Sequence, residues 1–328
     1  MDHLSPFTLA FNPLFAAYLE RKCGELPTDL ALFTTIGESL RQFGATGKLL
    51  RPFVAFCAAG IAPDALGDHP ILQLLFAIEL YHLFALIHDD IMDRSDVRHG
   101  MPTMHARFGT DQAILIGDLC LSWAHECATA ASDDSYADSI FCAMSEETII
   151  GQMFDIALAK SIEPTEALLD RSVELKTVRY TFIYPLFLGR TFDTGAVTSD
   201  IGPMVRFGRA LGHAFQRLDD LADIVWGAAR LGKEPCADFQ NGVPTHLWFH
   251  LQQYGSATER GTCSMLFGNR EASPGAIREL IIDSGAYARE RRMIEALLFD
   301  ARAALETMSD AARWEPLVAM LEEKLAAL

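Results

Sequence analysis

The chain has 328 residues, half of them hydrophobic and 22% charged, a balance that excludes a disordered polymer. Lysine plus arginine is 27 and aspartate plus glutamate is 44, a formal net charge of −17. That argues against nucleic acid or an anionic membrane surface as partner, since both require a basic footprint.

Apolar residues recur at three- and four-residue spacing over 14–26, 29–43, 47–57, 71–92, 112–131, 138–157, 165–188, 201–225, 245–254, 274–307 and 314–327. This predicts helices throughout. No convincing strand alternation is found, and turn chemistry clusters near 62–70 and 268–275. Ser273 before Pro274 reads as an N-cap with proline in the first helical turn. The run Ile71–Ile87 is nearly long enough to span a bilayer. It contains Gln73, Glu79 and His82 and leads directly into Asp89 and Asp90, so a buried core helix is expected and no membrane span. No linker separates two cores, and one all-α domain over 1–328 is expected. The seven cysteines include no Cys-x-x-Cys pair, and no lysine or arginine precedes Arg21. Reduced, mostly buried thiols in a cytoplasmic chain without a signal peptide are therefore expected. Cys120, His125 and Cys127 lack the spacing and the fourth ligand of a closed zinc site.

Two acidic clusters carry the chemistry. In the first, Asp89, Asp90 and Asp93 form Asp-Asp-x-x-Asp at the end of an apolar helix. Asp89 and Asp93 share one helix face about 6 Å apart along the axis, where like charges repel unless a cation lies between them. Carboxylate oxygens are hard ligands that favour magnesium over zinc. Asp219, Asp220 and Asp223 repeat the arrangement inside a second apolar helix. One such motif is weak evidence, but two on buried-looking helices suggest magnesium ions shared with a diphosphate. Cationic partners for a diphosphate are available at Lys48, Arg51, Arg98, Lys176 and Lys233, and His82 lies two helical turns before Asp89.

With these residues in place, the chain resembles the trans-isoprenyl diphosphate synthases, the polyprenyl synthetase family. The matching motifs are Gly47-Lys48-x-x-Arg51-Pro52, His82, Asp89-Asp90-x-x-Asp93, Arg98 with Gly100-x-Pro102-Thr103, Gly151-Gln152, Lys176-Thr177, Phe215-Gln216-x-x-Asp219-Asp220-x-x-Asp223, Gly232-Lys233 with Asp238, and Ser284-Gly285-Ala286. The resemblance runs from about residue 40 to 300. It implies an isoprenoid-synthase helical bundle with a central cavity between the two acidic helices. It further implies head-to-tail condensation of isopentenyl diphosphate with an allylic diphosphate, by a homodimer using three magnesium ions per site with substrate bound.

The same resemblance assigns roles. Asp89, Asp93 and Asp219 would bind magnesium, supported by Asp90 and Asp223 through water or hydrogen bonds, and Asp220 counts with them among the catalytic residues. Arg98, Lys176 and Lys233 would hold the allylic diphosphate. Lys48, Arg51 and His82 would hold isopentenyl diphosphate, and Thr177 and Gln216 would lie near the developing cation. Two positions depart from the family. The usual Arg-Arg-Gly reads Arg98-His99-Gly100, so His99 takes the place of a second arginine at the isopentenyl site. The usual Gly-Lys-x-Thr reads Gly242-Val243-Pro244-Thr245. A cyclase-like relative that ionises without condensing would have lost the isopentenyl site, which Lys48, Arg51 and His82 argue against. A noncatalytic partner subunit would have eroded acidic clusters, and both are intact. Tyr81, Phe84 and Ala85, just before the first cluster, would set the floor of the product tunnel and favour a product of geranylgeranyl or farnesyl size.

Overall fold

The computed structural model describes residues 4–131, 135–160, 164–193, 201–231 and 234–328. In chain order the helices are α1 (Ser5–Gly24), α2 (Ala31–Gly44), α3 (Leu50–Ala59), α4 (Ile71–Asp93), α5 (Met104–Phe108), α6 (Thr110–Ala131), α7 (Ser135–Ala159) and α8 (Glu166–Val173). A π-helical segment, Glu174–Ile183, leads into α9 (Tyr184–Arg190). The rest are α10 (Ile201–Val225), α11 (Ala228–Leu231), α12 (Ala237–Gln240), α13 (His246–Tyr254), α14 (Ala257–Leu266), α15 (Pro274–Asp283), α16 (Ala286–Leu305) and α17 (Glu315–Ala326). Short 3₁₀ turns occupy Pro63–Asp68 and Ala311–Arg313.

The chain divides into two compact units, Met1–Cys142 with Pro185–Ala196, and Ala143–Tyr184 with Val197–Leu328. In the first, α1 presents Phe7, Phe11 and Phe15 at four-residue spacing, and consecutive rings stack at 5.2 and 5.5 Å. They pack on Phe53 and Phe56 of α3 and Phe76 of α4. This aromatic ladder extends the helix to Ser5, nine residues before the start expected from periodicity. Helix α4 has the length and hydropathy of a membrane span, yet 67% of that window is buried inside the fold. It runs beside α6, where His88 Nε2 lies 3.1 Å from the Ile114 carbonyl oxygen.

In the second unit, α10 is flanked by the π-helical segment and by α16. Two glycines allow close approach. A Cβ on Gly151 of α7 would lie 2.8 Å from the backbone of Leu175 and Lys176, and one on Gly212 of α10 would lie 2.8 Å from Val178. Any side chain there would push these helices off the segment that carries Lys176 and Thr177.

The all-α expectation holds, with corrections of detail. The expected helix 274–307 is broken at Gly285, whose φ of 74° ends one helix and starts the next. Ser273 occupies the N-cap position of α15 without a side-chain capping bond, and proline sits in the first turn. Helix α14 was not expected, although Ser256 and Glu259 form a reciprocal capping box at its start. Among the described residues there is also one small ladder, β1 (Val97–Arg98) against β2 (Met101–Pro102). Its two-residue loop, His99-Gly100, has φ of 51° and 75°, the left-handed pair that closes a tight hairpin. The cysteines are free, and all but Cys142 are buried.

Candidate active site

In the first unit, α4 delivers the first acidic cluster and then stops, because Arg94 adopts a left-handed conformation immediately after Asp93. Asp89 is half-buried, Asp90 buried and Asp93 exposed. The β1–β2 hairpin aims Arg98 back at this helix end. Arg98 Nε donates to both carboxylate oxygens of Asp90 at 2.9 and 3.0 Å, and its Nη2 lies 2.8 Å from Asp90 Oδ1 and 4.0 Å from Asp89. Burial still raises the Asp90 carboxyl above its ordinary value against the pull of Arg98. Asp90 thus orients a cation, a use its place in the motif does not reveal.

Arg51 and His82 meet as their spacing alone could not show, with Arg51 Nη1 3.1 Å from His82 Nε2. Burial, then the charges of Arg51, Arg98 and His99, hold the His82 imidazole well below its ordinary value. A neutral ring accepts from Arg51 at Nε2 and carries its proton on Nδ1. His99, exposed at the hairpin tip, is pushed down by partial desolvation, then by Arg98 and Lys48. Lys48, Arg51, His82, Arg98 and His99 therefore belong to one electropositive neighbourhood suited to an anion. Glu79 lies one turn before His82 and is fully buried, and among the described residues neither carboxylate oxygen finds a hydrogen-bond partner. Burial, opposed by Arg51, pushes it up to about 7. Tyr81 and Phe84 are buried with ring centroids 5.3 Å apart, Tyr81 lies edge-on to Phe141, and Ala85 is half-buried.

In the second unit, the π-helical segment and α10 share a hydrogen-bond chain. Thr177 Oγ1 donates to Gln216 Oε1 at 2.8 Å, and Gln216 Nε2 donates to Asp220 Oδ1 at 2.9 Å. This fixes the orientation of the Gln216 amide. π-helical turns often occur where a side chain must be placed for function. Lys176, on the same segment, donates to Asp155 at 2.8 Å, and Ser172 donates to the other oxygen of that carboxylate at 2.9 Å. The sequence reading missed Asp155, although it stands one turn after Gln152 on the same helix.

Asp219 is partly exposed, and Asp220 and Asp223 are buried. Burial, followed by the negative charges of Asp238, Glu290 and Asp219, pushes the Asp220 carboxyl well above the carboxylate range, against the Gln216 bond. Beneath this cluster Arg217, only 4% exposed, donates to both oxygens of fully buried Glu290 at 2.9 and 2.8 Å, and His250 Nε2 lies 3.0 Å from the same carboxylate. Local spacing gives no signal for this network, because its members are 73 and 40 residues apart. Lys324 of α17 donates to Asp219 Oδ1. Lys233 lies outside the described residues.

Among the described residues no three acidic, histidine or cysteine side chains converge into a ready-made metal cage. The donors are hard oxygens, and an ammonium group already sits on Asp219, so the residues fit a cation.

A profile of the polyprenyl synthetase family matches residues 34–283. The geranylgeranyl diphosphate synthase of Methanosarcina mazei is 31% identical over 236 residues, covering 70% of this chain and 69% of that protein. The short chain isoprenyl diphosphate synthase of Methanocaldococcus jannaschii is 29% identical over 245 residues, 72% of each. The solved geranylgeranyl pyrophosphate synthase from Corynebacterium glutamicum, complexed with isoprenyl diphosphate and magnesium, has a TM-score of 0.87 at 26% identity, covering 98% of this chain and 99% of that one. The fold is the all-α isoprenoid-synthase fold expected from the sequence.

Proposed function

The chain belongs to the polyprenyl synthetase family, and from that premise we propose that it is a trans-prenyltransferase condensing isopentenyl diphosphate head-to-tail with an allylic diphosphate. The observation that carries this reading is the second acidic cluster with its Thr177–Gln216–Asp220 chain, inside a fold and family in which the named relatives are prenyl diphosphate synthases.

Asp89, Asp93 and Asp219 would hold magnesium, three ions per site once substrate is bound, which neutralise charge on the departing diphosphate. Arg98, set by Asp90, and Lys176, set by Asp155, hold the allylic diphosphate together with Lys233. Arg98 and Lys176, fixed before reaction, stabilise the charge that develops as the carbon–oxygen bond breaks. Lys48, Arg51, His82 and His99 hold isopentenyl diphosphate, so that its double bond attacks the allylic carbon at close range. The Thr177 hydroxyl and the Gln216 carbonyl are the nearby dipoles for the transient carbocation. A new carbon–carbon bond forms, a proton leaves the adjacent carbon, and the released diphosphate takes it.

Phe84 and Tyr81 support a short product, of geranylgeranyl or farnesyl length. The stripe of Ile149, Ile150, Met153 and Ile156 on α7, 37–66% exposed, supports a homodimer. A cytoplasmic location agrees with the reduced cysteines. The test offers dimethylallyl, geranyl and farnesyl diphosphates separately with labelled isopentenyl diphosphate and magnesium. Labelled prenyl diphosphates ending at one length are expected, and failure of all three to incorporate label would overturn the reading.

A further inference from the structure

Three carboxylates stand within two turns of α10, with Asp238 and Glu290 close enough to push Asp220 upward. Like charges so arranged repel. Arg217, the basic residue of α10 nearest them in sequence, is committed to Glu290. The cation placed on Asp219 comes instead from the last turn of the chain's final helix. The Lys324 ammonium donates to Asp219 Oδ1 and lies 5.2 Å from the Phe215 ring centroid and 5.9 Å from that of Trp226. Its side chain is 19% exposed. The chain end is tied down at two further points. Arg230, stacked 3.8 Å over Trp226, donates to the Ala327 carbonyl at 3.4 Å, and Tyr287 donates to the Leu328 carbonyl at 3.1 Å.

We propose that Lys324 is a placeholder cation: it occupies the oxygen of Asp219 that a divalent ion requires, and entry of that ion displaces it and loosens the last turn of α17. The inference rests on the reading of Asp219 as a metal ligand. Its physical basis is that an ammonium and a divalent ion cannot share one carboxylate oxygen without repelling at contact distance. A lysine suits this role better than an arginine, because it is a mobile point charge and forms no two-pronged clamp. Between turnovers the pair offsets part of the negative charge of the acidic helix. Once the ion is bound, the same lysine becomes available beside the departing diphosphate. Occupancy of the second acidic cluster is thereby communicated to the C-terminal end of the chain.

The test titrates manganese(II) alone, which shares the oxygen preference of magnesium and is read by electron paramagnetic resonance. Four proteins are compared: wild type, Lys324→Met, Asp219→Asn and the double variant. Lys324→Met should tighten binding about fivefold, the scale of a partly exposed ion pair, and should change nothing when Asp219 is already asparagine. Hydrogen exchange over 315–328 should accelerate on adding manganese to wild type, and should be fast with or without the ion in Lys324→Met. Equal affinity of wild type and Lys324→Met, or an equal gain in the Asp219→Asn background, would overturn the placeholder and leave the proposed function standing. Unchanged binding in Asp219→Asn alone would remove Asp219 as a ligand, and the inference with it.

Discussion

Glu79 gives the sharpest stability prediction. Its carboxylate is fully buried, has no hydrogen-bond partner among the described residues, and is carried from an ordinary 4.5 up to about 7 by burial, against the pull of Arg51. Because the folded protein holds this proton more tightly than the unfolded chain, the contribution of Glu79 to stability is greatest below about pH 4.5 and is lost as pH rises through 7. At about 1.4 kcal/mol per pH unit, the full cost is about 3 kcal/mol once Glu79 is ionised. Glu79→Gln removes the titration while keeping the shape. In urea denaturation, the stability of the variant relative to wild type should therefore improve by about 2–3 kcal/mol between pH 5 and pH 8. A difference that stays constant across that range would refute the argument that burial without a partner governs this group. Glu79 also underlies the substrate anchors, since a Cβ on Gly47 would lie 2.6 Å from its Oε1.

Phe84→Ala should lengthen the product by at least one isoprene unit, read by chromatography of the dephosphorylated products, and an unchanged distribution would show that the ring only packs the core. The protonated form of His99 is disfavoured by partial desolvation, Arg98 and Lys48, so KM for isopentenyl diphosphate should rise as pH climbs through the range in which that ring loses its proton. His99→Arg should lower KM at neutral pH and flatten this rise, whereas parallel profiles would remove His99 from the site. Arg217→Met should destabilise the fold by about 3–5 kcal/mol, the scale of leaving a buried carboxylate unpaired. An unfolding free energy within 1 kcal/mol of wild type would show that His250 alone satisfies Glu290.

The sequence made the helical class legible because a 3.6-residue period needs no knowledge of tertiary contacts. It made the acidic clusters legible because four-residue spacing puts Asp89 beside Asp93 and Asp219 beside Asp223. Other features depend on residues distant in the chain. The partner of Lys176 is Asp155 on another helix, Arg217 finds Glu290 from α16, and Lys324 reaches Asp219 from the far end of the sequence. The break at Ser284-Gly285 was visible as a motif but was overridden by continuous apolar periodicity. The His99-Gly100 hairpin is not legible in the sequence because its two-residue strands are too short to show alternation, although its closing glycine is a turn residue.

In this enzyme, ionisation of the allylic diphosphate should lead to condensation. That outcome is tested most directly by measuring diphosphate release and incorporation of labelled isopentenyl diphosphate in the same reaction, with geranyl diphosphate as the allylic partner. One isopentenyl unit should be incorporated for each diphosphate released and recovered as a longer prenyl diphosphate. Diphosphate release accompanied only by unlabelled hydrocarbon or alcohol would contradict it, and would make His99 and Val243 the first positions to change.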